Sequence, residues 1–335
     1  MVRIAVLGCG RIGRMHAENI AAHPRAELAG VFDVVDAAAS SVAATLNATK
    51  FASAAEVFGS PEVDAVLIAT STPTHADFIE EAVAAGKPTL CEKPIDLSLA
   101  RVAACADAIK GTTVPIMLGF VRRFDKGHSG VRQAIEAGQI GELHQVTITS
   151  RDPGMAPDAY IETSGGIFRD MTIHDFDMAR FIVGEEFKTV NAVGARLVDP
   201  VLMERCDDYD TVTVVLTTAS GKQCVISNSR RAVYGYDQRV EAFGSEGMAI
   251  SENQSDGNTR LYAAAYTDQK APLLNFFIER YAQAFSSEID AFVEVVEKGA
   301  PVPVGFHDGQ KALALAEAAI LSVREGRPIA LSEVE

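Results

Sequence analysis

Cysteine is scarce in this chain and poorly placed for structural chemistry. There are five, at Cys9, Cys91, Cys105, Cys206 and Cys224. The number is odd and no two form a C-x-x-C pair, which argues against a disulfide framework or a zinc site and points to a reducing cytosol. Positive charge is also short. Thirty Lys and Arg face 45 Asp and Glu, a formal charge of −15. That balance disfavours nucleic acid or an anionic membrane as a partner. No apolar run is long enough to span a bilayer. The opening "MVRIAVLGCG" goes straight into a strand pattern, without signal-peptide anatomy. Internal repeats, low-complexity tracts, nucleophile motifs built on Ser or Cys, and His/Asp/Glu spacings that suggest a metal are all missing. What is present is a globular composition, 48% hydrophobic over 335 residues, enough for two domains.

The first third alternates strand and helix patterns. "RIAVLG", "AELAGVFD", "VDAVLIAT", "KPTLCEK" and "VPIMLGF" read as short apolar strands, with "TKFA" a weaker one. Between them "RMHAENIAAH", "DAAASSVAATLN", "HADFIEEAVAAG" and "LSLARVAACADAIKG" have helical spacing, the last two closed by Gly86 and Gly111. Such alternation predicts a parallel sheet covered on both faces. After about residue 140 strands dominate: "ELHQVTITSR", "KTVNAVGARL", "DTVTVVLTTA", "KQCVISNSRR", "QRVEAFGS" and "TRLYAAAY". Val212, Val214 and Leu216 alternate with Thr211, Thr213 and Thr217, predicting a largely antiparallel sheet with one apolar and one Thr-rich face. Two closing helices follow. The expected organisation is a nucleotide-binding domain over 1–121 and an α+β domain over 122–335.

Gly8-Cys9-Gly10-Arg11-Ile12-Gly13 matches G-x-G-x-x-G. It follows a strand and opens a helix, the context the motif requires. Gly8 allows a tight turn, Gly10 lets backbone approach a pyrophosphate, and Gly13 permits close helix–strand packing. The helix N-terminus supplies N–H groups for phosphates. Asp33 lies twenty residues after Gly13, where a carboxylate bonds ribose hydroxyls and repels a 2′-phosphate. This predicts NAD over NADP. Two further segments lie at strand ends, where open α/β sheets bind ligands. "ATSTPTH" offers Thr70, Ser71, Thr72 and His75; "CEKPID" offers Glu92 and Lys93. A lysine held there ahead of Pro94 is placed to stabilise an alkoxide or carbonyl oxygen beside a nicotinamide. His16, His23, His128 and His144 have no such context and read as surface or structural residues.

"GGIFRDMTIHDFDMAR", residues 165–180, is the other unusual stretch. At about 100° per residue, with Asp170 at zero, His174 falls at roughly 40° and Asp177 at roughly −20°. The rest of the helix is apolar nearly all round, so the polar face is set into a buried surface. A buried charge needs a partner or a task. Asp170 and His174, at i and i+4, can touch, and a carboxylate fixes the tautomer of an imidazole. A purely structural ion pair is the competing reading of this stretch.

Taken together, "GCGRIG", "ATSTPTH", "CEKP" and "GGIFRDMTIHDFDMAR" resemble the glucose–fructose oxidoreductase/inositol dehydrogenase family over essentially the whole chain. "SRDPGMAP" ahead of the last motif further resembles the bacterial inositol 2-dehydrogenases. The resemblance implies a Rossmann domain followed by an open-faced sheet that packs against other subunits, often in a tetramer. It implies Lys93, Asp170 and His174 as the catalytic residues. The expected reaction is NAD-dependent oxidation of a cyclic polyol, myo-inositol first, to 2-keto-myo-inositol, with Arg122, Asp152 and Tyr236 binding hydroxyls. A scyllo-inositol or other sugar dehydrogenase is the alternative enzyme. An NAD-sensing regulator on the same fold is the alternative without catalysis.

Overall fold

The computed structural model describes residues 1–335. The chain divides into two compact units, one made of Met1–Val121 with Phe285–Leu313 and the other of Arg122–Ala284 with Ala314–Glu335. The return of residues 285–313 to the first unit has no counterpart in the linear change of pattern, because a helix pattern does not say which sheet it covers.

In the first unit six strands form one parallel sheet: β1 (Val2–Leu7), β2 (Ala26–Phe32), β3 (Thr49–Lys50), β4 (Ala65–Ile68), β5 (Thr89–Cys91) and β6 (Ile116–Leu118). Their spatial order is β3-β2-β1-β4-β5-β6. Ile4 through Leu7 and Ala65 through Ile68 are wholly buried. Strands covered on both faces read as continuous apolar runs, which is why these two were legible. The order reverses between β1 and β4, and the crevice beyond their carboxyl ends is where this topology takes a ligand.

The second unit contains β7 (Leu143–Arg151), β8 (Phe187–Ala195), β9 (Thr211–Thr218), β10 (Gln223–Ser229), β11 (Asp237–Gly244) and β12 (Met248–Ser251). A hairpin, β13 (Arg260–Ala263) with β14 (Tyr266–Lys270), and a short closing strand, β15 (Ile329–Ala330), complete the strands. The large sheet runs β12-β11-β7-β10-β9-β8-β15. All its pairings are antiparallel except β7 with β10. The sequence missed β12, β14 and β15, which are short, edge-placed or part of an exposed hairpin. Alternation assigns the faces as expected, with Val212, Val214 and Leu216 buried. Register carries this across the sheet, aligning Ala192, Val214, Ile226, Ile148 and Val240 on the covered face. The helix Thr172–Val183 lies against β7 and β10 on that side.

The "GGIFRDMTIHDFDMAR" stretch is two helices rather than one. Ile167–Asp170 is a single turn, and Thr172–Val183 follows after a break at Met171. Asp170 therefore closes one segment while His174 lies in the first turn of the next.

Candidate active site

Each unit holds one half of the predicted machinery, and each half is coherent by itself. In the first unit the three motif glycines have three different reasons. Gly8 has φ +96°, and a Cβ there would collide with the Ala69 carbonyl at the end of β4. A Cβ on Gly13 would collide with the Gly8 carbonyl, so this glycine lets the helix Arg11–Ala22 close on β1. A Cβ on Gly10 would meet nothing within 4 Å, and its φ of −67° is open to any residue. Nothing within the chain calls for glycine at Gly10. The bare backbone there fits the approach of a pyrophosphate to the helix N-terminus, beside the exposed Arg11 and half-buried Ile12.

Asp33 stands at the end of β2, partly exposed. Its carboxylate accepts hydrogen bonds from the Cys9 N–H at 2.6 Å and the Val35 N–H at 2.8 Å. It thus ties the glycine loop to β2, and each oxygen keeps lone-pair capacity for a ribose hydroxyl. These residues fit NAD. Thr70, Ser71 and Thr72 form the turn after β4, where the Thr70 and Thr74 hydroxyls share a hydrogen bond of 2.7 Å. His75 opens the helix that follows this turn. It is 2% exposed, with Nδ1 2.8 Å from the Pro94 carbonyl and Nε2 3.1 Å from the Thr70 carbonyl. Burial pushes its pKa down. His75 fastens two strand-end loops together.

Lys93 follows β5, half-buried, at a cis Lys93–Pro94 bond. Its backbone N–H is 3.3 Å from Glu92 Oε2. Glu92 Oε1 in turn accepts from His16 Nε2 at 2.9 Å. His16, read as a surface or structural histidine, is 1% exposed and belongs to this loop system. His23 is buried against Asp290, and His128 sits between Ser251 and Tyr281 with its pKa pushed down to about 3 by burial.

In the second unit Asp170 accepts from the Tyr160 hydroxyl at 2.7 Å and from Arg230 Nη1 at 3.2 Å. The other Arg230 nitrogen, Nη2, reaches Asp208 at 3.2 Å, and Asp208 accepts the Ile167 N–H at 2.9 Å. Arg230 is 2% exposed, and a buried guanidinium held by two carboxylates is a rigid support. His174 is half-buried on the next turn. Asp152, at the end of β7, has its pKa raised to about 6 by burial and by the negative charge of Asp170, against the pull of Arg122 and Arg230. Asp170, Asp152, Arg122 and Arg230 are therefore electrostatic neighbours.

Arg122 is 6% exposed and gives Nη1 to Asp175 at 2.6 Å and to the Ser150 hydroxyl at 2.8 Å. Ser150 passes its own hydrogen to Asp175 at 2.6 Å, and the Asn228 amide donates to Asp175 at 2.8 Å. Burial works against the Arg122 charge, but the Tyr281 and Asp175 beside it keep its pKa above the usual value. Tyr236 is 5% exposed, packed edge-on against Phe276 and Tyr281. Asp177, the third residue of the predicted polar face, is held by an arginine. It is 1% exposed and bound through both oxygens to Arg123, at 2.8 and 2.6 Å. For that residue the structural ion pair is the right reading.

Sequence reasoning missed Tyr160, Arg230, Asp208 and Asp175. The one available signal was Arg230 in "SNSRR", a basic residue closing an apolar alternating strand.

A parallel sheet with its glycine turn at the reversal of strand order, an acid at the second strand, and an acid–arginine cluster on a separate mixed sheet define an NAD-binding oxidoreductase. Residues 2–120 match the oxidoreductase family, NAD-binding Rossmann fold, and residues 128–250 match the GFO/IDH/MocA C-terminal domain. The chain belongs to the GFO/IDH/MocA oxidoreductase family. It is 48% identical to an inositol 2-dehydrogenase of Rhizobium meliloti (strain 1021), over 99% of each chain. The crystal structure of a myo-inositol dehydrogenase from Corynebacterium glutamicum superposes with a TM-score of 0.95 at 44% identity, over 99% of each chain. A scyllo-inositol dehydrogenase from Lactobacillus casei, crystallised with NAD(H) and scyllo-inositol, gives 0.92 at 28% identity, again over 99% of each chain.

Proposed function

We propose that this protein oxidises myo-inositol to 2-keto-myo-inositol (scyllo-inosose), with NAD as the acceptor. What carries the reading is end-to-end likeness to inositol 2-dehydrogenases in a chain that keeps Lys93, Asp170 and His174 at the motif positions. NAD⁺ supplies the hydride acceptor when bound. Gly8, Gly10 and Gly13 seat its phosphates, and Asp33 takes the ribose hydroxyls. His174 accepts the proton of the reacting hydroxyl, a task for which imidazole is the commonest side chain. Asp170, itself steadied by Tyr160 and Arg230, orients the imidazole and stabilises its cation. Lys93 donates to the same oxygen and steadies the charge that develops on it. Asp152 accepts from hydroxyls that do not react, and Arg122 and Tyr236 shape the polar wall around them. The protein works as a homotetramer in a reducing cytoplasm and opens the catabolism of the polyol. All five cysteines are free thiols, in keeping with that compartment.

The test is NADH absorbance with a panel of polyols. In myo-inositol one hydroxyl is axial, so its carbon presents the equatorial hydrogen; in scyllo-inositol every hydroxyl is equatorial. If the equatorial hydroxyls anchor the ring, the wrong isomer misdirects the hydrogen, a loss on the order of 10²-fold. Specificity constants favouring myo-inositol are expected. Equal or reversed constants make this a scyllo-inositol or broader polyol dehydrogenase. NAD binding with no turnover on any polyol makes it a sensor. His174→Ala should cut turnover by about 10²–10⁴-fold with NAD affinity retained.

A further inference from the structure

A second acid lies near Glu92. Glu288, on the helix Ala282–Lys298, is wholly buried among apolar neighbours including Phe285, Ile289 and Phe292. Neither of its carboxyl oxygens has a hydrogen-bond partner. One of its oxygens, a Glu92 oxygen and a His16 ring nitrogen all lie within 4.8 Å of one another. Glu92 is fixed in this cluster. Its Oε1 accepts from His16, its Oε2 lies by the Lys93 N–H, and a Cβ on Gly119 would stand 2.9 Å from Oε2. The His16 ring is pinned edge-on by Phe285, with centroids 5.5 Å apart.

Two carboxylates this close, one of them wholly buried, do not both ionise. The donors decide which one holds the charge. Glu92 has the His16 N–H, the Lys93 N–H and the Lys93 and His75 side chains on its side. Glu288 faces Glu92 and has no donor at all. A buried carboxylate without donors is far less stable than the neutral acid, so the proton resides on Glu288.

We propose that Glu288 is held as an uncharged carboxylic acid opposite an ionised Glu92, and that it acts with His16 to fix one negative charge at Lys93. Glu288 and Glu92 are positioning residues here, and the proposal rests on the reading of Lys93 given above. A neutral acid fills the space, turns an O–H dipole toward the anion and adds no second charge. A leucine would fill the space without the dipole. An ionised Glu288 would double the negative charge beside Lys93. Electrostatic direction agrees with the geometry: burial and then Glu92 push Glu288 well above the ordinary carboxyl range, while His16 and Lys93 outweigh burial at Glu92 and bring it below that range.

Infrared difference spectroscopy of the intact enzyme at pH 7, wild type against Glu288→Gln, reads the proton directly. A carbonyl stretch of a protonated acid, present in wild type and lost in Glu288→Gln, is expected. Its absence overturns the proposal. So does a stoichiometric divalent cation in the purified enzyme, because a metal on this cluster requires Glu288 to ionise. The positioning role is read by Glu92→Gln. This change should lower kcat about tenfold, alter KM less than about threefold and move the alkaline limb of the kcat–pH profile down by about one unit. Glu92→Asp should restore part of the shift. Should Glu92→Gln fail to fold, His16→Leu removes one donor and should move the limb in the same direction. An unmoved limb in both variants overturns the role. Lys93→Met separates the two readings. If it keeps turnover, the catalytic assignment of Lys93 fails, while the infrared band still decides the state of Glu288.

Discussion

Asp33 and Asp152 show how much one carboxylate can be asked to do. Asp33 holds the N–H groups of Cys9 and Val35, so it shapes the glycine loop besides the ribose-binding role proposed for it. Asp33→Ser removes the charge that opposes a 2′-phosphate, and the NADP/NAD efficiency ratio should rise by about tenfold or more while NAD efficiency falls. A wild type that already prefers NADP would remove Asp33 from this role. Asp152 has its pKa raised to about 6, so the folded protein binds this proton more tightly than the unfolded chain does. The group therefore weakens the fold as pH rises from about 4 to about 6, the interval between its unfolded and folded values. Over the same interval it gains the charge needed to accept hydroxyl hydrogens. KM for the polyol should fall as pH rises through 6. Asp152→Asn should flatten that dependence, weaken substrate binding and raise the melting temperature at pH 7. A variant with unchanged KM and an unchanged profile would exclude Asp152 from the substrate wall.

Elements carry a different lesson. Helical arithmetic over residues 165–180 found the polar face, yet it assumed one unbroken helix and placed Asp177 with Asp170 and His174. The break at Met171 and the Arg123 partner of Asp177 are tertiary facts, and no periodicity encodes them. β1 and β4 were legible because burial on both faces leaves continuous apolar runs, and the glycine motif because Gly8 and Gly13 answer steric demands within the chain. Arg230, Asp208 and Glu288 were not legible. Their roles come from partners 22, 60 or more residues away, as with Arg230 on Asp208 and Asp170. Two arginines on the same sheet unit now separate structure from chemistry. Arg123→Met removes the two bonds that the buried Asp177 accepts from the guanidinium and should destabilise by about 3–5 kcal/mol, with near-normal kcat in the folded enzyme. Arg230→Met takes one charged donor from each of Asp170 and Asp208, which keep the Tyr160 hydroxyl and the Ile167 N–H, so it should lose stability and kcat as well. Thermal melts paired with kcat on both variants check this; equal kcat values would detach Arg230 from the support of Asp170.

For the whole molecule the open face of the large sheet is the outstanding feature. Register aligns Asn191, Val215, Val225, Thr147, Glu241 and Ile250 across six strands on the side away from the helix Thr172–Val183. Val193, Phe243 and Ile250 are 67%, 49% and 45% exposed on this face, and Leu261 and Tyr262 stand out on the hairpin. A sheet face of small polar and β-branched residues with exposed Val193, Phe243 and Ile250 among them is flat enough to meet its own copy. Light scattering should give a mass about four times the 35.7 kDa of one chain. Val193→Asp with Val225→Asp places like charges at the middle of the face and should lower the mass to a dimer or a monomer, with the circular dichroism spectrum unchanged. A wild type that runs as a monomer at working concentration would leave this face without a partner and sink the tetramer.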